Sequence, residues 1–474
     1  MLDLVIHGGE LIDGSGAPRR RADVGVLGGL IAVVGDLAGA HAHRRVNAEG
    51  CVVAPGFIDS HTHDDQLLLE HPAEHPKLLQ GVTTVVTGNC GISLAPLVMD
   101  RPPSPLDILQ ARFCHASFAD YVRALRAVRP ALNAALLVGH TTLRVRHVAD
   151  LSREAGAREV QHMQASVAEA MEAGAIGLST GVFYPPSRAA TTREMIEVAR
   201  PLAGGRGIVT MNIRDEADRI DDALLEALSV GRALDTPLVL SHHKLIGVAN
   251  HGRSQHTLAM IEAAAATQAV CLDCYPYAAS STMLLPERVA GSVDVQITWS
   301  QREPQAAGRS LRAMAAERGM DATALAAALM PAGGIYFAMS DDDVDRILVH
   351  PLAMIGSDGL PASGIQHPRL WGTFPRVLGH YARDRRVLSL ESAIHKMTGL
   401  PARRFGLEGR GFVLPSHAAD LTIFDPATIE DRATYADPAM RPRGIHWVLV
   451  NGEVAVAGGE VVVQHGGQVL RRAA

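Results

Sequence analysis

The chain has 474 residues, 47% hydrophobic and 20% charged, with a formal net charge of −6. That balance excludes disorder as the main state, and the scattered basic residues give no nucleic-acid footprint. Small-molecule chemistry is the expectation, in a chain long enough for one barrel-sized domain and a smaller one.

The opening MLDLVIHGGELIDG lacks the basic-then-apolar pattern of a leader, and no run approaches the roughly twenty apolar residues of a membrane span. A cytoplasmic protein without membrane partners is expected, and no feature speaks to its oligomeric state. Residues 3–54 read as short strands between turns, and the pattern returns after 411 in AADLTIFDP and IHWVLVNGEVAVAGGEVVV. Each end alone offers too few strands to bury a face, so residues 1–54 and 411–474 are expected to meet in one small β-sandwich.

Between them, over residues 55–410, eight apolar runs alternate with helical stretches: 56–61, 83–89, 134–140, 175–180, 207–212, 237–242, 270–275 and 352–358. This alternation predicts an α/β fold, a (β/α)8 TIM-type barrel. An insertion at about 285–345, containing SLRAMAAERGMDATALAAALM, interrupts the seventh unit and reads as a helical subdomain over the barrel mouth.

The first run continues as PGFIDSHTHDD. Side chains at i and i+2 of a strand share a face, so His61 and His63 project together with Asp59 below them. Two such histidines alone are ordinarily loop residues. Here, however, Cys90 ends strand two, His140 strand three, Asn212 strand five, His242 strand six and Asp358 strand eight. A barrel gathers these ends at one face, and metal-ligand types at most of them predict a metal site there. His140 reads equally as a satisfied structural histidine or as a substrate contact. The five cysteines make no disulfide framework, and Cys271 and Cys274 of CLDC face opposite sides of their strand, which makes them poor joint ligands.

Along nearly its whole length the sequence resembles the N-acyl-D-amino-acid deacylases (D-aminoacylases) of the amidohydrolase superfamily. The resemblance runs through DLVIHGGELIDGSGAP, VAPGFIDSHTHDD, GVTTVVTGNCGIS, GHTTLR, GLSTGVFYPP, SHHK, YPYAASSTML, GSDGLP and HPRLWGTFPRVLGHYARD to the closing ADLTIFDP. It implies zinc-dependent hydrolysis of N-acyl-D-amino acids to a carboxylate and a D-amino acid. It further implies a tightly held zinc on Cys90 and His242, and a second, weaker position on His61, His63 and Asp358. Asp358 would be the general base and acid. Substrate groups match Tyr184, Lys244, Tyr275, Ser281 and Arg369, with Arg369 meeting the substrate carboxylate. One position departs: where the family carries a ligand histidine at the end of strand five, this chain has Asn212, whose neutral amide oxygen is a weak zinc ligand. The alternatives are an amidohydrolase for another amide, cyclic imide or carbamoyl bond, and a metal-impaired, non-catalytic relative.

Overall fold

The computed structural model describes residues 1–73, 76–361, 364–462 and 465–473. Its centre is a parallel barrel of eight strands: β1 (Phe57–Asp59), β2 (Val82–Thr87), β3 (Asn133–Gly139), β4 (Gly177–Gly181), β5 (Ile208–Asn212), β6 (Leu238–Leu240), β7 (Val270–Cys274) and β8 (Ala353–Ile355). Neighbours in sequence are neighbours in the sheet, as in Ala134↔Val85, Leu178↔Val209 and Leu272↔Ala353. Every residue of these strands is buried, which explains why they read as apolar runs rather than as alternating ones. The ring closes beyond the last regular residues of β1 and β8. There Thr62 bridges Gly359 in parallel, and Asp358 N–H donates to His61 O at 2.8 Å. The residues after Asp59 are therefore not a continuation of β1, but the extended chain around Thr62 keeps His61 and His63 on one side.

Helices pack outside the barrel through apolar stripes. In Ala157–Ala173 the buried Met163, Val167 and Ala170 recur at i, i+4 and i+7, the spacing of one helix face. No helix among the described residues is long and apolar enough to cross a membrane.

The two chain ends interleave. Val52–Pro55 pairs antiparallel with Leu421–Phe424 in a seven-stranded sheet, and a second sheet of four strands comes from residues 2–47. Ile6, Val24, Ile31, Val53, Leu421 and Leu449 form a common apolar core for the two sheets, separate from the barrel interior. A short terminal strand, Val469–Leu470, pairs with the start of β3 at Ala134 and Ala135.

The insertion holds the helices Leu311–Arg318 and Ala322–Leu329. Its strands Ala332–Phe337 and Asp294–Ser300 join Ser280–Met283, just before the insertion, in a three-stranded antiparallel sheet. That sheet is not evident in the sequence because AGGIYF looks like a turn. The strand needs its glycine: a Cβ at Gly333 would lie 2.4 Å from Thr298 Oγ1 and 2.5 Å from Trp299 Nε1.

Candidate metal centre

Five of the strand-end residues converge. His61 Nε2 lies 3.2 Å from Cys90 Sγ, which lies 3.4 Å from His242 Nε2. On the other side Asp358 Oδ1 is 3.4 Å from His63 Nε2 and 3.6 Å from His61 Nε2. The ligand atoms of His61, His63 and Cys90, and those of His61, His242 and Asp358, form two groups with all atoms within 4.8 Å of one another. Zinc bonds of about 2.0–2.3 Å set neighbouring donors of a tetrahedron roughly 3.3–3.8 Å apart, so these spacings fit such an ion.

The backbone at this centre is unusual. Cys90, His242 and Asp358 have φ of 55°, 36° and 48°, in the left-handed region that a non-glycine residue enters at a cost of about 1–3 kcal/mol. Each turns the chain sharply just past its strand. Beside Cys90, Gly181 lets two segments touch, since a Cβ there would stand 2.0 Å from Cys90 O.

Charge balances charge throughout the cluster. Burial by itself would push the Cys90 thiol up, but His61 and His242 overrule it and hold the thiol well below its usual range. Burial likewise opposes ionisation of Asp358, yet the Arg369 guanidinium, at 2.9 Å from Oδ2, and His63 hold its carboxyl well below the ordinary value. Burial would lower His63, but hydrogen bonding to Asp358 raises it to about 9. A thiolate, a carboxylate and three imidazoles packed this closely are a donor set suited to a divalent cation.

A second layer orients these groups. Asp273 Oδ1 accepts the His242 backbone N–H at 2.8 Å and lies 3.3 Å from His61 Nδ1. Glu216 Oε1 lies 3.2 Å from His242 Nδ1 and pairs with Lys244 Nζ, and Glu216 Oε2 meets Arg288 at 3.2 Å. Beneath the seam, the fully buried Lys77 donates to Asp59 Oδ2 and Ser357 Oγ, both at 2.6 Å. Asp59 also accepts the Ser357 backbone N–H at 2.7 Å. It therefore supports the ligand loops from below rather than joining the donor cluster. None of Asp273, Glu216 and Lys77 stood out in the sequence; the one available signal was a charged residue inside the apolar strand VCLDC.

A cavity of about 610 Å³ opens on the cluster, lined by His63, Asn212, His242, Lys244, Asp358 and Arg369. Tyr184, Ser281 and Met283 also border it, with Trp299 and Met330 contributed by the insertion. Arg369 is 1% exposed; its Nη2 donates to Ser281 O at 3.2 Å, while Nε and Nη1 have no hydrogen-bond partner among the described residues. Tyr275 lies under this guanidinium, 4.6 Å from ring centroid to Cζ, and its hydroxyl turns toward Met339 Sδ at 3.8 Å. Tyr275 thus supports Arg369 with its ring face. His140 is placed elsewhere: its Nε2 lies 3.2 Å from Glu194 Oε1, in a buried cluster with Arg144, and it does not line the cavity. The substrate-contact reading of His140 is therefore corrected to the structural one. His243 is likewise outside the cluster, with Nε2 2.9 Å from Thr257 Oγ1.

Comparison with known proteins adds relatives to this geometry. Residues 44–456 match the amidohydrolase family profile. The chain is 54% identical to a D-aminoacylase of Alcaligenes xylosoxydans xylosoxydans, over 100% of this chain and 98% of that protein. It is 52% identical to an N-acyl-D-aspartate deacylase of the same organism, over 99% and 95%. Among solved structures, N-acyl-D-glutamate deacylase from Bordetella bronchiseptica, complexed with zinc and a phosphonate mimic of the tetrahedral intermediate, superposes with a TM-score of 0.95. It is 46% identical over 99% of each chain.

Proposed function

The chain belongs to the amidohydrolase family, and from that premise we propose that it is a zinc-dependent deacylase, hydrolysing N-acyl-D-amino acids to a carboxylate and a D-amino acid. His61, His63, Cys90, His242 and Asp358 would hold the metal, with Asn212 at the remaining position. When bound, the ion polarises the acyl carbonyl and acidifies a water, a contribution of several kcal/mol to stabilising the developing charge.

The protein's own groups do the rest. Arg369 keeps two guanidinium nitrogens without hydrogen-bond partners among the described residues, and it is backed by the Tyr275 ring. It anchors the α-carboxylate, with Lys244 as a further cation on the same cavity wall. Asp358 faces the reacting centre as a carboxylate, so it takes the proton of the attacking water while the new C–O bond forms at the acyl carbon. The C–N bond then breaks, and the same carboxyl returns the proton to the departing amine. One water is consumed, and Asp358 ends as it began. With the carboxylate, amide and side chain each fixed, only one configuration at Cα presents the acyl carbon correctly.

The observation that carries this reading is the convergence, in one cavity, of the donor cluster with a buried guanidinium whose Nε and Nη1 have no hydrogen-bond partner among the described residues. The test is initial rates on paired D and L enantiomers of N-acetyl amino acids, before and after chelation and zinc restoration. Strong preference for the D series, lost with the metal and regained with it, is expected. Equal rates on both enantiomers, or turnover indifferent to chelation, would overturn the assignment.

A further inference from the structure

Asn212 is the last residue of β5, and both flanking strands lead to the donor cluster. On one side it pairs with Gly181, where a Cβ would stand 2.0 Å from the Cys90 carbonyl oxygen. On the other, Met211 O accepts the N–H of Ser241, the residue before His242, at 2.9 Å. Asn212 therefore stands between the backbones of Cys90 and His242. It lines the cavity at 3% exposure, and its Oδ1 has no hydrogen-bond partner among the described residues. A buried amide oxygen left this way carries an uncompensated desolvation penalty unless something else binds it.

The donors can be shared out in only a few ways. His61 Nε2 lies within reach of both Cys90 and Asp358, but an imidazole nitrogen has one lone pair and serves one ion. If His61 joins His63 and Asp358, that ion has two imidazoles and a carboxylate, the ligand class of a three-residue zinc site with an open position. Cys90 and His242 are then left as a pair. The unpartnered buried oxygen on the strand that runs between their segments is that of Asn212, a neutral amide with low affinity for zinc.

We propose that Asn212 makes the Cys90–His242 position the weakly held half of the centre, so that the chain retains one ion on His61, His63 and Asp358 and admits a second only at high metal concentration. This rests on the metal-dependent reading above, and it reverses the order of affinities that the sequence resemblance implies. The thiolate position becomes a place that fills and empties with ambient metal.

The test is zinc binding to chelator-stripped, full-length protein, measured by competition with a chromophoric chelator and by metal content after gel filtration. The wild type should bind one ion tightly and a second weakly. Asn212→His should tighten the weak position by about tenfold or more and raise retained metal toward two ions, whereas Asn212→Leu, similar in volume but without the oxygen, should weaken it further. His63→Ala should abolish the tight equivalent, and His242→Ala should leave it in place. Loss of the tight ion in His242→Ala but not in His63→Ala overturns the proposal, as does an unchanged weak-position affinity across the Asn212 variants. A protein that binds no zinc in any form fails differently: it removes the metal-dependent reading itself, and this inference with it.

Discussion

Replacing Lys77 with methionine should destabilise the protein more than any surface change, although Lys77 lies outside both the cavity and the donor cluster. Lys77 and Asp59 are fully buried, 2.6 Å apart, and Asp64 stands 3.5 Å from the same ammonium. Removing one partner of such a pair leaves charge in a medium that cannot solvate it, a loss of about 3–5 kcal/mol. Unfolding entropy of about 2.1 cal/mol/K per residue gives a chain of this length roughly 1 kcal/mol/K, so Lys77→Met should lower Tm by about 3–5 °C. The damage also reaches the chemistry, since Asp59 holds the Ser357 N–H at 2.7 Å and the His61 N–H at 3.3 Å. Thermal and denaturant unfolding of the metal-free protein isolates the structural part, and zinc affinity measured alongside reads the loop positions. Adding Asp59→Asn removes the stranded charge while keeping an acceptor for Ser357, so the double variant should recover much of the loss. A single variant within about 1 kcal/mol of wild type would refute the reasoning.

Two further outcomes follow from the same chemistry. Asp358→Asn should fold and yet nearly abolish turnover, because an amide cannot take the proton of the water; a kcat above about a tenth of wild type, a barrier rise under roughly 1.4 kcal/mol, would show that another group is the base. Burial pushes Lys396 down to about 8 from its ordinary 10.5, and among the described residues its ammonium donates to the carbonyls of His350 and Ala353. Between those two values the unfolded chain binds more protons than the folded one, so stability should climb with pH across that window by up to about 1.4 kcal/mol per unit. Lys396→Met should remove that climb, and parallel slopes in wild type and variant from pH 8 to 10 would contradict the buried-ammonium account.

The barrel was legible because strands buried on both faces cannot hide their apolar runs. The donor cluster was legible because ligand-type residues recurred where those runs ended. What sequence could not give was the length of the regular strands, since His61, Asp358 and Cys90 lie just past them on chain held by long-range contacts. The Thr62–Gly359 bridge is one such contact. The supporting layer was hidden for a related reason. Lys77 meets Ser357 across 280 residues, and Asp273 meets His61 across the barrel, so neither pairing leaves a local pattern. His140 followed the strand-end rule in sequence but pairs with Glu194, which also holds Arg144, because a helix begins at that residue and carries the ring away from the cavity. The insertion's sheet was masked by its glycines.

The pairing of Val52–Pro55 with Leu421–Phe424 has a consequence in time. A ribosome adding about 5–20 residues per second completes the first of these strands roughly 20–70 s before the second exists. Throughout that interval a fully buried strand, VVAP, has an open hydrogen-bonding edge and no partner for it. Closing a loop of this length carries an entropic cost of about 5 kcal/mol, which the finished sheet recovers only once the last part of the chain has emerged. The nascent protein is therefore most exposed to aggregation when its catalytic barrel is already nearly built. Shortening the chain at its C-terminal end would remove the strand on which the N-terminal one depends.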